Sequence, residues 1–371
     1  MTSSFNHASS SLWVNTPTGK YPILVGYHLL AQKELFEPIV AKKQVFILSH
    51  PEIASHYLPI LSKACNLAGA SSVEHLLIPS GDQYKTLLTA EQIWSALLKS
   101  NYHRDTVMIA LGGGMIGDLA GFCAACFMRG VDVIQCPTSL LAQIDAAIGG
   151  KTGVNHPLGK NLIGAFHQPR AVITDLTTLA TLDQREFVAG LGELIKYGMA
   201  LDANLFVWLE QHLPAILARD PAILQQAVAW GCRIKAHVVS VDTFEHAGRI
   251  VLNFGHTIAH AIESLLDYQG CLHGEAVAIG MIIATRLSLQ RGMIEQQLLD
   301  RLIILLKAAG LPTQLPEKMT TTAILARIKQ DKKHIHQELQ WVLLKNLGES
   351  QIVMGITPEE ITTALVQSSA K

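Results

Sequence analysis

Charge is scarce in this chain. Asp, Glu, Lys and Arg make up only 16% of its 371 residues and nearly cancel, leaving a net charge of −1. Such a balance gives no general pull toward nucleic acid or an acidic membrane surface. Long apolar runs are also lacking: 49% of the residues are hydrophobic, yet no run is long and uncharged enough to span a bilayer. The start, Met1-Thr2-Ser3-Ser4-Phe5-Asn6-His7, has no basic region followed by an apolar one, so no signal peptide is expected. The six cysteines (Cys65, Cys123, Cys126, Cys136, Cys232, Cys271) are scattered. Cys123 and Cys126 form a CxxC, but no second one completes a zinc site. Gly121–Cys126 reads as a packed helix face, with structural thiols in a reducing cytoplasm. What is abundant is apolar residues, enough for the buried cores of two domains and against disorder.

The first half alternates short β-rich runs with helical stretches. Gln44–Leu48, Val73–Ile78, Thr106–Leu111, Val131–Cys136 and Ala171–Thr174 read as strands. Continuous apolar strands separated by helices indicate a parallel sheet covered on both faces. The second half reads as helices near 185–199, 202–216, 221–240, 255–267, 273–291 and 295–309. Gly310-Leu311-Pro312 ends the last of these. A hairpin is expected from Leu339–Leu344 and Ser350–Val353 around Gly348. A final helix starts at Thr357-Pro358-Glu359-Glu360, a capping box with Pro at the first helical position. No repeat or low-complexity linker occurs. The expected architecture is an N-terminal Rossmann-like α/β domain over 1–180 and a mostly α-helical domain over 181–371.

Chemistry concentrates in Asn253-Phe254-Gly255-His256-Thr257-Ile258-Ala259-His260-Ala261-Ile262-Glu263 and in Leu272-His273-Gly274-Glu275-Ala276. On a helix His256 and His260 are i,i+4 neighbours on one face, the spacing of a divalent-metal half-site. His273 is the nearest third ligand in sequence. A zincin protease is disfavoured, because Thr257 stands where that pattern needs Glu.

Strand Val107–Leu111 runs into Gly112-Gly113-Gly114-Met115-Ile116-Gly117-Asp118 and a helix. Glycines allow close backbone approach, and the helix N-terminus offers N–H groups to a phosphate. The glycine spacing is looser than the dinucleotide fingerprint. Ser80–Lys85 and Thr138-Ser139 also stand at strand ends, where ligands of such sheets bind. The few basic residues fall in polar or glycine-rich turns: Arg129, Lys151, Lys160, Lys196, Arg249, Lys332 and Lys333. Gly149–Gly153 and Gly159–Asn161 show neither helical nor strand period. Each lysine taken singly reads as solvated surface; together they suit a substrate with phosphate and carboxylate groups. Glu193 and Lys196 share one helix face, either as a surface ion pair or as a metal ligand and a phosphate contact.

These segments resemble the 3-dehydroquinate synthases over nearly the whole chain. The likeness rests on Gly81–Lys85, Leu111–Gly114 with Gly117-Asp118, Phe127–Gly130, Gln143–Thr152, Asn155–Asn161, Glu193–Gly198, Asn253–His256, Leu272–Ala276 and Asp331–Lys333. It implies the fold of that family, NAD, and one divalent metal, usually zinc with cobalt as an alternative, in a cytoplasmic homodimer. The implied ligands are Glu193, His256 and His273, which displaces His260 from the metal. Lys151, Asn161, Lys196, Asn253 and His260 would hold the substrate phosphate, with Lys332 or Lys333 reaching in and Arg129 a candidate for a residue shared across the dimer. Lys160 and Arg249 would hold the carboxylate and hydroxyls, and Asp145 would lie between nicotinamide and substrate. Glu245 would support a catalytic water network. Asp82, Lys85, Gly112, Gly113, Gly114, Met115, Asp118, Thr138, Ser139, Thr181, and also Asp145, Lys151 and Lys160, would line the cofactor.

Two departures stand out: His50 where the family usually has Asp or Asn, and Asp82 for the usual Glu. Both concern the cofactor ribose and neither touches the chemistry. The implied reaction is conversion of 3-deoxy-D-arabino-heptulosonate 7-phosphate to 3-dehydroquinate and phosphate, the second step of the shikimate pathway toward chorismate. It proceeds by transient oxidation, β-elimination, re-reduction, ring opening and aldol closure. A net dehydrogenase shares the GGG turn and histidine site but leaves the lysine cluster without purpose. A sister sugar-phosphate cyclase is disfavoured by Asn253 and His260. A non-catalytic binding protein on the same fold is disfavoured by the intact metal, phosphate and hydride-transfer candidates.

Overall fold

The computed structural model describes residues 10–245, 248–266, 270–317, 319–335 and 339–366, with the side chains of 330–335 outside the description. Two compact units form. The first holds the described residues through Asp183 together with Val228–Phe244; the second holds Gln184–Ala227 and the described residues from Glu245 onward.

The first unit is built on a seven-stranded sheet. Its strands are β1 (Ser10–Thr16), β2 (Gly19–Gly26), β3 (Gln44–Ser49), β4 (Ser72–Leu77), β5 (Val107–Gly112), β6 (Asp132–Pro137) and, past a separate hairpin of β7 (Lys151–His156) and β8 (Gly159–Phe166), β9 (Ala171–Asp175). The order is β1-β2-β9-β6-β5-β3-β4. All neighbours are parallel except β1 and β2, which form an antiparallel hairpin at one edge. Helices α1 (Lys33–Val40), α2 (Pro51–Leu67), α3 (Leu87–Lys99) and α4 (Gly114–Cys126) cover it. Successive strand residues alternate between two cores. Val45, Ile47, Val107, Ile109 and Ile134 pack with α1 and α2. Phe46, Leu48, Met108, Ala110 and Val133 pack with α3 and α4. Each such side chain contributes about 1.5–3 kcal/mol by leaving water, and burial on both faces is why the strands read as continuous apolar runs.

The second unit holds α5 (Gln184–Ala200), α6 (Ala203–Leu217), the first part of α7 (Pro221–Val241), α8 (His256–Leu265), α9 (His273–Gln290), α10 (Gln296–Ala309), α11 (Thr321–Ile335), the hairpin β10 (Trp341–Asn346) and β11 (Glu349–Val353), and α12 (Pro358–Val366). Leu191–Ala200 of α5 and Ala276–Thr285 of α9 are buried without interruption. Helices apolar on every side lie at the centre of a unit.

The parallel strands β3, β4, β5, β6 and β9, the central helices and the late hairpin fall where the sequence places them, within two residues at each end. Three elements differ. The runs expected as loops around Lys151 and Lys160 are the paired strands β7 and β8. The β1–β2 hairpin and α11 carry no reading in the sequence. Cys126, expected on a packed face, is exposed, whereas Cys123 is buried.

The capping box at α12 is formed. Thr357 N donates to Glu360 Oε2 at 2.7 Å, and Glu360 N to Thr357 Oγ1 at 3.2 Å. Arg291, just past the end of α9, forks onto the same carboxylate at 2.7 and 3.0 Å. That guanidinium, with the Thr357 amide, pulls the Glu360 carboxyl down to about 2 from an ordinary 4.5. A depressed carboxyl stabilises the fold above its unfolded value and loses that contribution as pH falls toward the folded one. Glu360→Gln should therefore flatten the acid limb of stability between about pH 4.5 and 2. The pair is largely solvated, so the effect measured by urea unfolding should stay within ~1 kcal/mol. An acid limb identical to that of the parent would exclude this pair as its source.

Candidate active site

The second unit brings Glu193, His256 and His273 together, with their ligating atoms all within 4.8 Å of one another. Each comes from a different helix: Glu193 from the middle of α5, His256 and His273 from the first residues of α8 and α9. Two glycine contacts make the approach possible. Gly192 and Gly274, each beside one of these three side chains, let α5 and the start of α9 touch. A Cβ on Gly274 would stand 1.8 Å from the Ala189 carbonyl oxygen, and one on Gly192 would stand 2.7 Å from the Gly274 oxygen. Gly255, at φ +80, turns the chain into α8 against Gly280 and Met281 of α9.

His256 Nε2 and His273 Nε2 stand 3.7 and 3.6 Å from Glu193 Oε1. Those separations are long for hydrogen bonds. They lie at or just above the spacing, roughly 3.3–3.6 Å, of ligand atoms held about 2.0–2.2 Å from a tetrahedral zinc. The opposite ring nitrogens face acceptors: His256 Nδ1 lies 3.2 Å from the Phe254 carbonyl, and His273 Nδ1 lies 3.2 Å from Glu263 Oε1. An acceptor at Nδ1 fixes the proton there and leaves the Nε2 lone pair for a cation. The donor set therefore fits a divalent metal of the zinc type.

The charge balance agrees. Burial holds His256 well below the usual imidazole range, helped by the nearby Lys196 ammonium. Burial opposes charge on His273 too, but the Glu193 and Glu263 carboxylates outweigh it and push the ring up to about 10. A partly buried imidazole beside two carboxylates is a place where positive charge is wanted. Glu263 has no role in the sequence reading, although it lies on α8 three residues beyond His260. Glu263→Gln should weaken metal binding roughly 10–100-fold, the usual cost of losing such a supporting carboxylate. Metal titration of stripped protein checks this, and an unchanged affinity would remove Glu263 from the site.

Lys196, 2% exposed, pairs with the fully buried Glu193 and lies 4.9 Å over the Tyr197 ring. The surface-pair alternative is therefore excluded. His260 is exposed; its ring lies 5.5 Å from that of His256 and 6.5 Å from that of His273. The i,i+4 spacing is real, but the convergent triangle takes Glu193 in place of His260. Arg249 is buried and Asn253 exposed on the helical turn Gly248–Asn253. Glu245 has a left-handed backbone at φ 62. Lys332 and Lys333 fall on residues whose side chains lie outside the described ones.

In the first unit, Gly112 ends β5 and Gly113 caps α4, whose opening turn includes Gly114 and Met115. Only Ser139 Oγ, at 3.5 Å, lies near a Cβ built on Gly113. Thr138 is buried and bonds its N–H to the Gly112 carbonyl. Asp118, one turn into α4, accepts from the buried Lys85 at 2.5 Å. Burial raises the Asp118 carboxyl, with the Lys85 ammonium opposing. Lys85 also donates to Asn161 Oδ1 at 2.5 Å, and Lys160 Nζ lies 2.6 Å from Asp82. Asp145 sits in a single π-helical turn, Ala142–Ala146, and accepts from Lys235 at 2.5 Å. Lys235 is 6% exposed and gave no signal in the sequence, being one lysine in a long helix. Thr181 Oγ1 meets Tyr57 Oη at 2.8 Å. Lys151 and Arg129 are exposed, the latter on a left-handed turn at φ 65 after Met128 at φ 49. His50 precedes α2, its Nδ1 2.9 Å from the Ile78 carbonyl.

Comparisons with known proteins agree with this geometry. Residues 75–189 match the family described as 3-dehydroquinate synthase N-terminal, and 190–334 match 3-dehydroquinate synthase C-terminal. A 3-dehydroquinate synthase of Halorhodospira halophila is 46% identical over 96% of this chain and 99% of its own. Among solved structures, 2-epi-5-epi-valiolone synthase from Streptomyces hygroscopicus subsp. jinggangensis 5008, with NAD+ and Zn2+ bound, superposes with a TM-score of 0.86 at 27% identity, over 94% of this chain and 96% of its own. A 2-deoxy-scyllo-inosose synthase complexed with carbaglucose-6-phosphate, NAD+ and Co2+ gives 0.88 at 25% identity, over 97% of this chain and all of the other. With matches that run through both units and relatives aligned nearly end to end, the chain belongs to the 3-dehydroquinate synthase family.

Proposed function

We infer that this chain is a carbon–oxygen lyase that turns 3-deoxy-D-arabino-heptulosonate 7-phosphate into 3-dehydroquinate and phosphate, with NAD and one divalent metal, zinc or cobalt, as cofactors. The observation that carries the reading is the carboxylate–imidazole triangle with the buried ammonium of Lys196 against it. A metal site flanked by a desolvated lysine and a further imidazole, His260, suits a hydroxylated substrate that also bears phosphate. A net dehydrogenase acting on simple alcohols has no use for the added cations.

When bound, NAD supplies a hydride acceptor that returns what it takes, and the metal supplies Lewis acidity at the C4 and C5 hydroxyls. The protein orients and stabilises charge. Lys151, Asn161, Lys196, Asn253 and His260 are proposed to hold the phosphate through its expulsion, and Lys160 and Arg249 the carboxylate and hydroxyls. Oxidation at C5 acidifies the C6 proton, which the departing phosphate can itself accept. Asp145, held by Lys235, keeps a fixed carboxylate at the hydride-transfer position. Glu245 supports the water network. Gly112–Met115 and the start of α4 receive the pyrophosphate, with Asp82, Lys85, Asp118, Thr138, Ser139 and Thr181 around the rest of the cofactor. The division into a cofactor domain over 1–180 and a metal and substrate domain over 181–371 belongs to the same proposal, as do a cytoplasmic location and a homodimer to which Arg129 contributes across the interface. None of the helices, among the described residues, is long and apolar enough to cross a membrane.

The test is phosphate release from the heptulosonate phosphate with catalytic NAD, with and without a chelator, while NADH absorbance is followed. Metal-dependent phosphate release without net NADH is the expected result. Steady NADH growth without phosphate would make the chain a dehydrogenase, and silence in both channels would point to a sister cyclase substrate.

A further inference from the structure

Asn155 has no role in the reading so far, yet it joins the two segments that present Lys160 and Asn161. It lies where the β7–β8 register shifts, between the pairs Val154–Ile163 and His156–Gly159. Across this irregularity β8 spends three residues, Lys160, Asn161 and Leu162, against Asn155 alone, and Asn155 also bridges Thr86 in parallel. Here both ends of the amide are used. Nδ2 donates to Asp82 Oδ2 at 2.9 Å and to the Asp82 carbonyl at 3.3 Å, while Oδ1 accepts the Asn161 N–H at 3.2 Å. The Asn155 N–H itself donates to the Lys85 carbonyl at 2.7 Å.

Asn161 stands in the left-handed region at φ 55, a conformation that costs energy unless its surroundings hold it. The hairpin tip has little apolar packing to do so: Leu158 is 84% exposed and Leu162 is 70% exposed. The Asn155 amide and the Lys85–Asn161 bond supply that hold. Asp82 is the common anchor, accepting from Asn155 and from Lys160.

We propose that Asn155 is a positioning residue that clamps the Asn161 backbone to the Asp82 turn and thereby aims Lys160 and Asn161 at the substrate. The proposal rests on the roles assigned above to Lys160 and Asn161. Only an amide serves the position, because one end must donate to a carboxylate while the other accepts from an N–H. A carboxylate at 155 faces Asp82 with like charge. Exchanging the partners, with Asp at 155 and Asn at 82, restores a donor–acceptor pair of reversed polarity.

The experiment measures two things on the full-length holoenzyme at saturating NAD and metal: hydrogen exchange at the Asn161 amide, and steady-state kinetics with the heptulosonate phosphate. The variants are Asn155→Ala, Asn155→Asp, Asp82→Asn and the double exchange. Protection at Asn161 should fall in both single Asn155 variants. The substrate KM should rise about 10–100-fold for Asn155→Asp, as expected for a lost hydrogen bond replaced by like charges face to face, with kcat far less affected. The double exchange should recover KM to the level of Asp82→Asn alone. Unchanged protection would overturn the clamp. Lost protection with an unchanged KM, or kcat falling together with thermal stability and no recovery in the double exchange, would reduce Asn155 to a structural contact. If the parent releases no phosphate while protection still depends on Asn155, the clamp stands but positions nothing for this reaction, and it is the functional reading that fails.

Discussion

His273→Ala should abolish metal-dependent turnover and leave NAD binding intact. The side chain is one of three donors in the triangle and the one placed between two carboxylates, 3.6 Å from Glu193 and 3.2 Å from Glu263. Its loss leaves a carboxylate and one imidazole, too few to fix a tetrahedral cation with an open position for substrate. Lewis-acid stabilisation worth several kcal/mol converts to a rate loss of roughly 10²–10⁴-fold. The residues assigned to the cofactor all belong to the first unit, so NAD affinity, measured by calorimetry, should not move. Full activity of the variant in a metal-free preparation would remove His273 from the ligands and with it the carrying observation of the functional reading.

Much of the fold is visible in the sequence because burial leaves a period. Strands covered on both faces read as unbroken apolar runs, and the helices of the second unit read through their repeat. The hairpin of β7 and β8 left no such trace. It opposes Gly153 to Gly164, and glycines there serve close approach: a Cβ on Gly164 would stand 2.1 Å from the Thr152 carbonyl oxygen. Propensity counts those residues against a strand. Helix α11 is missed for a different reason: among its described side chains it buries only Ile324 and Ile328 firmly, a pair too thin to register as a face.

The site was less legible than the fold. Spacing in one helix singled out His256 and His260, and nearness in sequence added His273. The partners the structure brings to His256 come from α5 and α9, some sixty residues before and seventeen after it, through contacts that no periodicity encodes. Family likeness was needed to name Glu193. Even that likeness gave no role to Glu263, Lys235 or Asn155, because each acts on another residue and its purpose shows only once that neighbour is in place.

Gly274→Ala should damage the metal site without removing any ligand. Alanine in an exposed helix normally stabilises relative to glycine by about 1 kcal/mol. Here the added carbon would meet the Ala189 carbonyl at 1.8 Å for oxygen and 2.6 Å for carbon. Both are backbone atoms of α5, which cannot swing aside as a flexible side chain would. The two helices must part, and overpacking of this kind costs about 1–3 kcal/mol or more. His273 directly precedes Gly274, and Glu193 follows the Gly192 that closes the same contact, so separation of the backbones pulls two ligands apart. Two losses should therefore appear together: lower stability of the metal-stripped protein in urea, and metal affinity reduced at least about 10-fold, since misplaced ligands cost no less than a missing supporting carboxylate. Glu263→Gln, by contrast, should reduce affinity with little change in the stripped protein. A Gly274→Ala protein that is as stable as its parent when stripped, and binds metal as tightly, would mean that the contact between α5 and α9 does not set the triangle.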